Sequence, residues 1–150
     1  MRKTKFRSIC AIATAVDIVG DKWSLLIIRN MLFHKKHTYG ELLDIPEKIA
    51  TRVLADRLKS LAADGLIEKR NHATNKKVFL YTLTDKGIST INIIVDLMKF
   101  SIEFYPKHIK IPSSDKKRVS YQFLHADSEV EFIKNSKKEY AKFKKELLAA

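Results

Sequence analysis

The chain holds a single cysteine, Cys10, among its 150 residues. One thiol excludes an internal disulfide framework, and a chain of this length can build a sufficient core without one. Glycine is scarce too. Gly20, Gly40, Gly65 and Gly87 stand singly near helix ends, so no glycine-rich loop is available to cradle a phosphate. Gly/Ser linkers and internal repeats are absent, which fits one domain plus an appendage. No stretch approaches the ~20 apolar residues of a membrane span. His34 and His37 are three apart, but no cysteine or acidic cluster completes a metal site. No Ser/His/Asp set is recognisable from spacing. An enzyme is therefore not expected, and no catalytic residue, metal or cofactor is assigned.

Acidic residues are also in short supply. Seventeen Asp and Glu face 29 Lys and Arg, giving a net charge of +12 and a pI near 9.8. Such a surface attracts polyanions, nucleic acid before acidic membrane. Residues 1–106 carry +7 and residues 107–150 carry +5, so the tail is denser in charge than the body. The N-terminus has the outline of a secretory signal, with basic residues 1–7 followed by the mostly apolar 8–16. Asp17 interrupts it, and Ile12, Ala15, Val16 and Val19 follow the i, i+3, i+4, i+7 spacing of a packed helix. A cytoplasmic protein with no membrane partner is the expectation.

What is present is helical punctuation. A first helix is expected over 8–19, ending at Gly20, which tolerates positive φ. Asp21 can cap a helix over 22–33 that is apolar nearly all round, as a central helix is. Thr38-Tyr-Gly-Glu41 reads as a capping box opening a short helix to about 44. A longer helix follows from 49 or 50 to 64, with Leu54, Leu58, Leu61 and Ala62 as its buried stripe. A short helix, a turn and a longer helix make a helix-turn-helix. The period then changes to two. Residues 66–70 and 78–83 read as strands around a polar turn, with Phe79, Tyr81 and Leu83 on one face. A hairpin directly after a helix-turn-helix is a wing.

One long helix is expected over 84–105. Ile88, Ile91, Val95, Met98, Ile102 and Tyr105 form a coiled-coil-like seam for a dimer, beside a neighbouring face of Ile94, Leu97 and Phe104. Residues 119–124 read as a short strand or helix. Ser128-Glu-Val-Glu131 opens a last helix to about 148, carrying Ile133, Tyr140, Phe143 and Leu147. Its apolar residues fit either dimer contact or bracing of their own subunit. The fold class is α+β, mostly α. It comprises a winged helix-turn-helix with a two-stranded wing, a long dimerisation helix and an extra C-terminal helix. Residues 1–105 form the DNA-binding and dimerisation domain, and 106–150 a basic extension.

These blocks resemble the HxlR-type regulators. Asp17-Ile-Val-Gly-Asp-Lys-Trp-Ser-Leu-Leu-Ile-Ile-Arg29 matches their "D-x-I-G-x-K-W-x-x-L-I-L-R" core. Tyr39-Gly-Glu-Leu42 matches "F-x-E-L". Leu54-Ala-Asp-Arg-Leu-Lys-Ser-Leu61 with Asp64-Gly-Leu66 matches "L-x-x-R-L-x-x-L-x-x-x-G-L", and Tyr81-Thr-Leu-Thr84 with Gly87 completes the pattern. The resemblance spans about residues 10–105. It implies a homodimeric bacterial or archaeal winged-helix transcription factor. It also implies a candidate sensor of oxidants or electrophiles in the cysteine near the first helix. The chain departs from the family at Cys10-Ala11, where Cys-Pro is common, and at Ile49-Ala-Thr-Arg52, where Ile-Ser-Gln-Lys is common. Residues 107–150 exceed the usual family length.

A helix-turn-helix places the start of its second helix in the major groove of double-stranded DNA. The exposed positions there are expected to be Thr51, Arg52, Ala55, Asp56 and Lys59. Arg52 can fork onto a guanine edge or hold a phosphate. Arg57, beside the buried face, is expected in an ion pair or on a phosphate. Arg70, His72, Asn75, Lys76 and Lys77 belong to the wing, tracking the backbone or minor groove or standing as a solvated turn. Lys36 and Thr38 could hold phosphate at a helix N-terminus. Cys10, near Arg2, Lys3, Lys5 and Arg7, is expected either to gain thiolate character and sense an oxidant or small-molecule electrophile, or to be a small buried residue. The function expected is a sequence-specific homodimeric regulator, a repressor. The alternative is an interaction module that binds protein or nonspecific nucleic acid through its basic tail.

Overall fold

The computed structural model describes residues 3–150. Arg2, counted above among the cations near Cys10, lies outside them. The chain runs α1 (Ala11–Val19), α2 (Ser24–His34), α3 (Tyr39–Leu43), α4 (Thr51–Ala63), β1 (Ile67–Asn71), β2 (Phe79–Leu83), α5 (Asp85–Ser89), α6 (Ile91–Phe104), α7 (Val119–Leu124) and α8 (Glu129–Ala149). α2 is the axis of the molecule. Ile27, Ile28, Met31 and Leu32 are all buried, and α3, α5, α6, α8 and β2 pack around them.

Local chemistry sets the boundaries. The Asp21 carboxylate accepts the N–H groups of Trp23 and Ser24, each at 2.9 Å, and closes the turn that leads into α2; the helix itself starts at Ser24, two residues later than expected. Thr38 and Glu41 form the full capping box of α3. Gly65 has φ of 76°, the left-handed turn that releases α4 into β1. Gly20 differs from its expectation, with φ of −79°. There the constraint is space, since a Cβ would lie 2.4 Å from the Val16 carbonyl oxygen.

The hairpin is antiparallel, with Ile67 opposite Leu83 and Asn71 opposite Phe79. It docks through Tyr81, whose N–H donates to the His37 carbonyl at 2.7 Å. Tyr81 and Leu83 are buried as expected, whereas Phe79 is exposed beneath the Lys69 ammonium, 3.9 Å above its ring. Leu80 and Thr82 are also buried, so this strand is covered on both faces.

The expected helix over 84–105 is broken at Thr90. Its ψ is −8°, and its hydroxyl and its N–H both turn back to the Gly87 carbonyl, at 2.7 and 3.2 Å. That local competition for a carbonyl separates α5 from α6.

Residues 119–124 form a helix. α8 buries Phe132, Ser136 and Tyr140, with Ile133 and Phe143 partly covered at the edges. Phe132 stacks on Phe33 of α2 at 5.9 Å and meets Phe123 of α7 edge-on at 5.4 Å. Phe132 and Tyr140 thus join the same core as α2 and α4, and α8 braces its own subunit. At its midpoint the Tyr140 hydroxyl accepts the Leu83 N–H at 2.8 Å, and Lys144 Nζ donates to the Leu83 carbonyl at 2.8 Å.

Burial pushes the Tyr140 phenol up to about 12; the Leu83 N–H opposes that shift and nearby Glu68 adds to it. The unfolded phenol titrates near 10. The native state therefore holds the proton longer, so this contribution is intact below about pH 10 and lost as pH rises towards 12. Tyr140→Phe leaves the Leu83 donor unpaired, and urea unfolding should show a loss of about 1–3 kcal/mol. The alkaline loss of stability should shrink in this variant, Tyr81, also raised by burial, supplying the remainder. An unchanged urea midpoint would refute the clamp.

Candidate nucleic-acid interface

α4 follows α3 through a turn in which Ile45 and Ile49 are buried. Its N-cap, Ala50, offers no side-chain acceptor. The start of the helix is held instead by Tyr39, whose hydroxyl donates to the Thr51 carbonyl at 2.9 Å. Leu54, Leu58 and Leu61 face the core. Thr51, Arg52 and Lys59 are exposed, while Ala55 and Asp56 are half-buried beside them. The five residues expected to read DNA thus share the outer face of α4. Among the described residues Arg52 and Lys59 form no ion pair.

Arg57 is engaged with Asp21 at 3.6 Å. Burial raises the Asp21 carboxyl, but hydrogen bonds from the Ser24 hydroxyl and from the Trp23 and Ser24 N–H groups, with the Arg57 charge, bring it below the usual carboxylate range. One carboxylate therefore closes the turn into α2 and ties α4 to it. That makes Arg57 structural.

Two expected phosphate ligands are already occupied. Lys36 Nζ donates to the Asp44 carbonyl. Thr38 accepts the Glu41 N–H, and the Glu41 carboxylate accepts the N–H groups of His37 and Thr38 at 2.9 Å. A protein carboxylate fills the start of α3, and its negative charge repels phosphate there. Despite partial burial, which raises it, those bonds hold the Glu41 pKa below its ordinary value.

The wing residues divide by role. His72 Nδ1 accepts the N–H groups of Thr74 and Asn75 at 3.2 and 3.3 Å, and Asn75 Oδ1 accepts the Lys77 N–H at 3.1 Å. These two build the tip. Arg70 leans on Glu68 at 3.4 Å. Lys76 and Lys77 are exposed at the tip and without ion pairs among the described residues. Lys69 was missed by sequence reasoning. The signal was the register, which puts it one step diagonally from Phe79.

Cys10 is exposed at the N-cap of α1. It is therefore not a core residue. Arg7, counted near it, pairs with Asp17 at 2.5 Å. The expected dimer seam needs correction. Ile91 and Val95 are fully buried in their own subunit, Ile88, Met98 and Ile102 are half-buried, and only Tyr105 of the six is exposed. The break at Thr90 and the packing of α6 on α2 turn that stripe inward. The free apolar row is Ile93, Leu97, Phe100 and Phe104, from 37% to 62% exposed, and α1 adds Ile12 and Val16. Among the described residues no cluster of three metal-binding side chains occurs, and no helix is long and apolar enough to cross a membrane.

The HxlR-like helix-turn-helix family matches residues 18–109. A Fusobacterium mortiferum protein named as a regulatory protein, MalR, is 30% identical over 102 residues, 68% of this chain and 94% of that one. A candidate MarR-family transcriptional regulator from Porphyromonas gingivalis W83 superposes with a TM-score of 0.55 at 33% identity, over 69% of this chain and 99% of that one. PA1607, described as a candidate transcription factor, superposes with a TM-score of 0.63 at 26% identity, over 70% and 73%. The helix-turn-helix, the wing and these relatives agree: the chain belongs to the HxlR-like helix-turn-helix family and is a DNA-binding transcription regulator of winged-helix type.

Proposed function

We propose that the protein is a sequence-specific repressor that binds a near-palindromic operator as a homodimer. The observation that carries this reading is the outer face of α4, where Thr51, Arg52 and Lys59 stand exposed over a buried leucine stripe. Arg52 suits a guanine edge through its planar fork, with Lys59 and the wing lysines on flanking phosphates. Two copies joined along the α6 row and α1 hold two α4 helices one turn of DNA apart. A dimer bound in this way shields the DNA from polymerase. Cys10, exposed at the start of α1, supports oxidant control at the same seam. With one thiol per chain, an oxidant taking two electrons and two protons joins Cys10 to the partner's thiol, or an electrophile caps it.

The alternative is nonspecific binding through the tail, favoured by exposed Lys134, Lys138, Lys142 and Lys145 along α8. Deleting the tail removes Phe132 and Tyr140 from the core, so charge reversal on α8 is the cleaner test.

Arg52→Ala should cost about 1–3 kcal/mol of operator affinity by fluorescence anisotropy if it reads a base. If it holds a phosphate, the log–log salt slope should fall by about 0.9. Unchanged affinity and slope, with Lys138→Glu/Lys142→Glu abolishing binding, would transfer the function to the tail. Leu97→Glu/Phe100→Glu should yield monomers in sedimentation, and a persistent dimer would remove α6 from the seam. Cys10→Ser should abolish oxidant-driven release from DNA. A response that survives the substitution excludes the thiol.

A further inference from the structure

A cleft of about 800 Å³ opens between α2, α6 and the strap that joins α6 to α7. Small-molecule sites typically enclose about 300–1,000 Å³ behind apolar walls with a few polar groups. Here the walls are Leu25 and Leu26 of α2, Ile94, Met98 and Ile102 of α6, and Val119 of α7. Arg29, Lys110, Lys117 and Arg118 supply positive charge, and Glu47 and Asp115 negative charge.

The charges do not cancel. Arg29 is taken up by Glu47 through both terminal nitrogens, at 2.6 and 2.9 Å. Arg118 pairs with Asp115 at 3.2 Å and also donates to the Lys110 carbonyl at 3.3 Å, which ties the strap to itself. Lys110 and Lys117 form no ion pair among the described residues and are exposed at the cleft. Two positive charges remain uncompensated beside an apolar floor. The Arg29 Nε is buried with no hydrogen-bond partner. His34 is also on the wall. Burial, then Arg29, Lys36 and Lys35, lower its pKa against the opposing pull of Asp115.

We propose that this cleft is an effector site for a small carboxylic acid with an apolar body. The body lies against α2 and α6, and the carboxylate sits among Lys110, Lys117 and Arg29. A carboxylate suits the planar Arg29 fork, which already holds one in Glu47. The chemistry also supplies a consequence. Glu47 lies in the turn between α3 and α4, so an acid that competes for Arg29 loosens the turn that orients the reading helix. The family match ends at residue 109, so Lys110, Lys117 and Val119 lie outside it. The regulatory half rests on α4 as the DNA reader, whereas the binding half does not.

The test is calorimetric titration of the full chain with octanoate and with phenylacetate, and with octanol and octylamine as charge controls. At least one acid should bind with Kd below about 1 mM. Octanol should bind at least about tenfold more weakly, and octylamine should give no heat. Lys110→Glu/Lys117→Glu, which alters only exposed side chains, should weaken the acid by about tenfold or more. Ile102→Trp should fill the cleft and block it; if that variant does not fold, the lysine pair decides. The His34 ring should titrate at higher pH when acid is bound, because the carboxylate offsets the cations around it. No binding by either acid, or equal binding by the lysine variant, overturns the site. Acid that binds as described but leaves operator affinity unchanged overturns the regulatory half alone. Failure of operator binding without any acid reports on α4, not on the cleft.

Discussion

A helix that is apolar on nearly every side must be enclosed, and α2 imposes that requirement on the whole molecule. Its buried residues Ile27, Ile28, Met31 and Leu32, together with Ser24 and Asn30, spread over more than half of the helix circumference. Each side needs a partner, and the remaining elements are disposed accordingly. Its two buried polar residues are satisfied locally: Ser24 bonds to Asp21, and Asn30 donates to the Leu26 carbonyl at 2.7 Å. α8 covers the side that the winged domain alone leaves open. Phe132 on Phe33 and Tyr140 on the Leu83 backbone are the contacts through which it does so. An extension beyond the family pattern has in this way become part of the core.

Much of this was legible because the decisive signals are short-range. The Asp21 turn, the Thr38–Glu41 box and the left-handed Gly65 are each set within a few residues, and helix-turn-helix and wing follow from their order. Which face of α6 turns inward was not legible, for a definable reason. α6 carries apolar residues on two faces, and periodicity assigns residues to a face without saying which face turns inward. Ile91 and Val95 are interior because α6 leans on α2, a contact between residues distant in sequence. The Thr90 break was hidden likewise, since a threonine within an apolar run is compatible with either a continuous or an interrupted helix.

The binding surface poses a different problem, because a basic sequence contains more cations than a DNA site uses. The structure sorts them by what they already touch. Arg57, Arg29, Arg7, Lys36 and Lys144 are held by carboxylates or carbonyls and serve the fold. Arg52, Lys59, Lys76 and Lys77 are exposed and form no ion pair among the described residues. The first group would have to break an internal bond to meet a phosphate, whereas the second releases counterions at no such cost. Composition gives the sign of the partner's charge; only the bonds made within the protein tell which cations remain for it.

The same sorting explains why α8 matters to a reading head it does not belong to. Its clamp on Leu83 fixes the base of β2, the strand that carries one side of the wing. Its neighbour α7 and the preceding strap close over α2 and α6 beside Arg29, whose partner Glu47 lies in the helix-turn-helix turn. The extension thus touches the DNA-reading unit at the base of the wing, and it lines a cleft beside the Arg29–Glu47 pair that holds the turn before α4. The first is anchored by the buried Tyr140, whereas the second is the part-exposed Arg29–Glu47 ion pair, worth about 0–1 kcal/mol. Contacts of that size can be exchanged without unfolding the domain. A tail added for bracing alone needs no cleft between itself and α2, and a cleft with unpaired lysines at its mouth gives this one a second use.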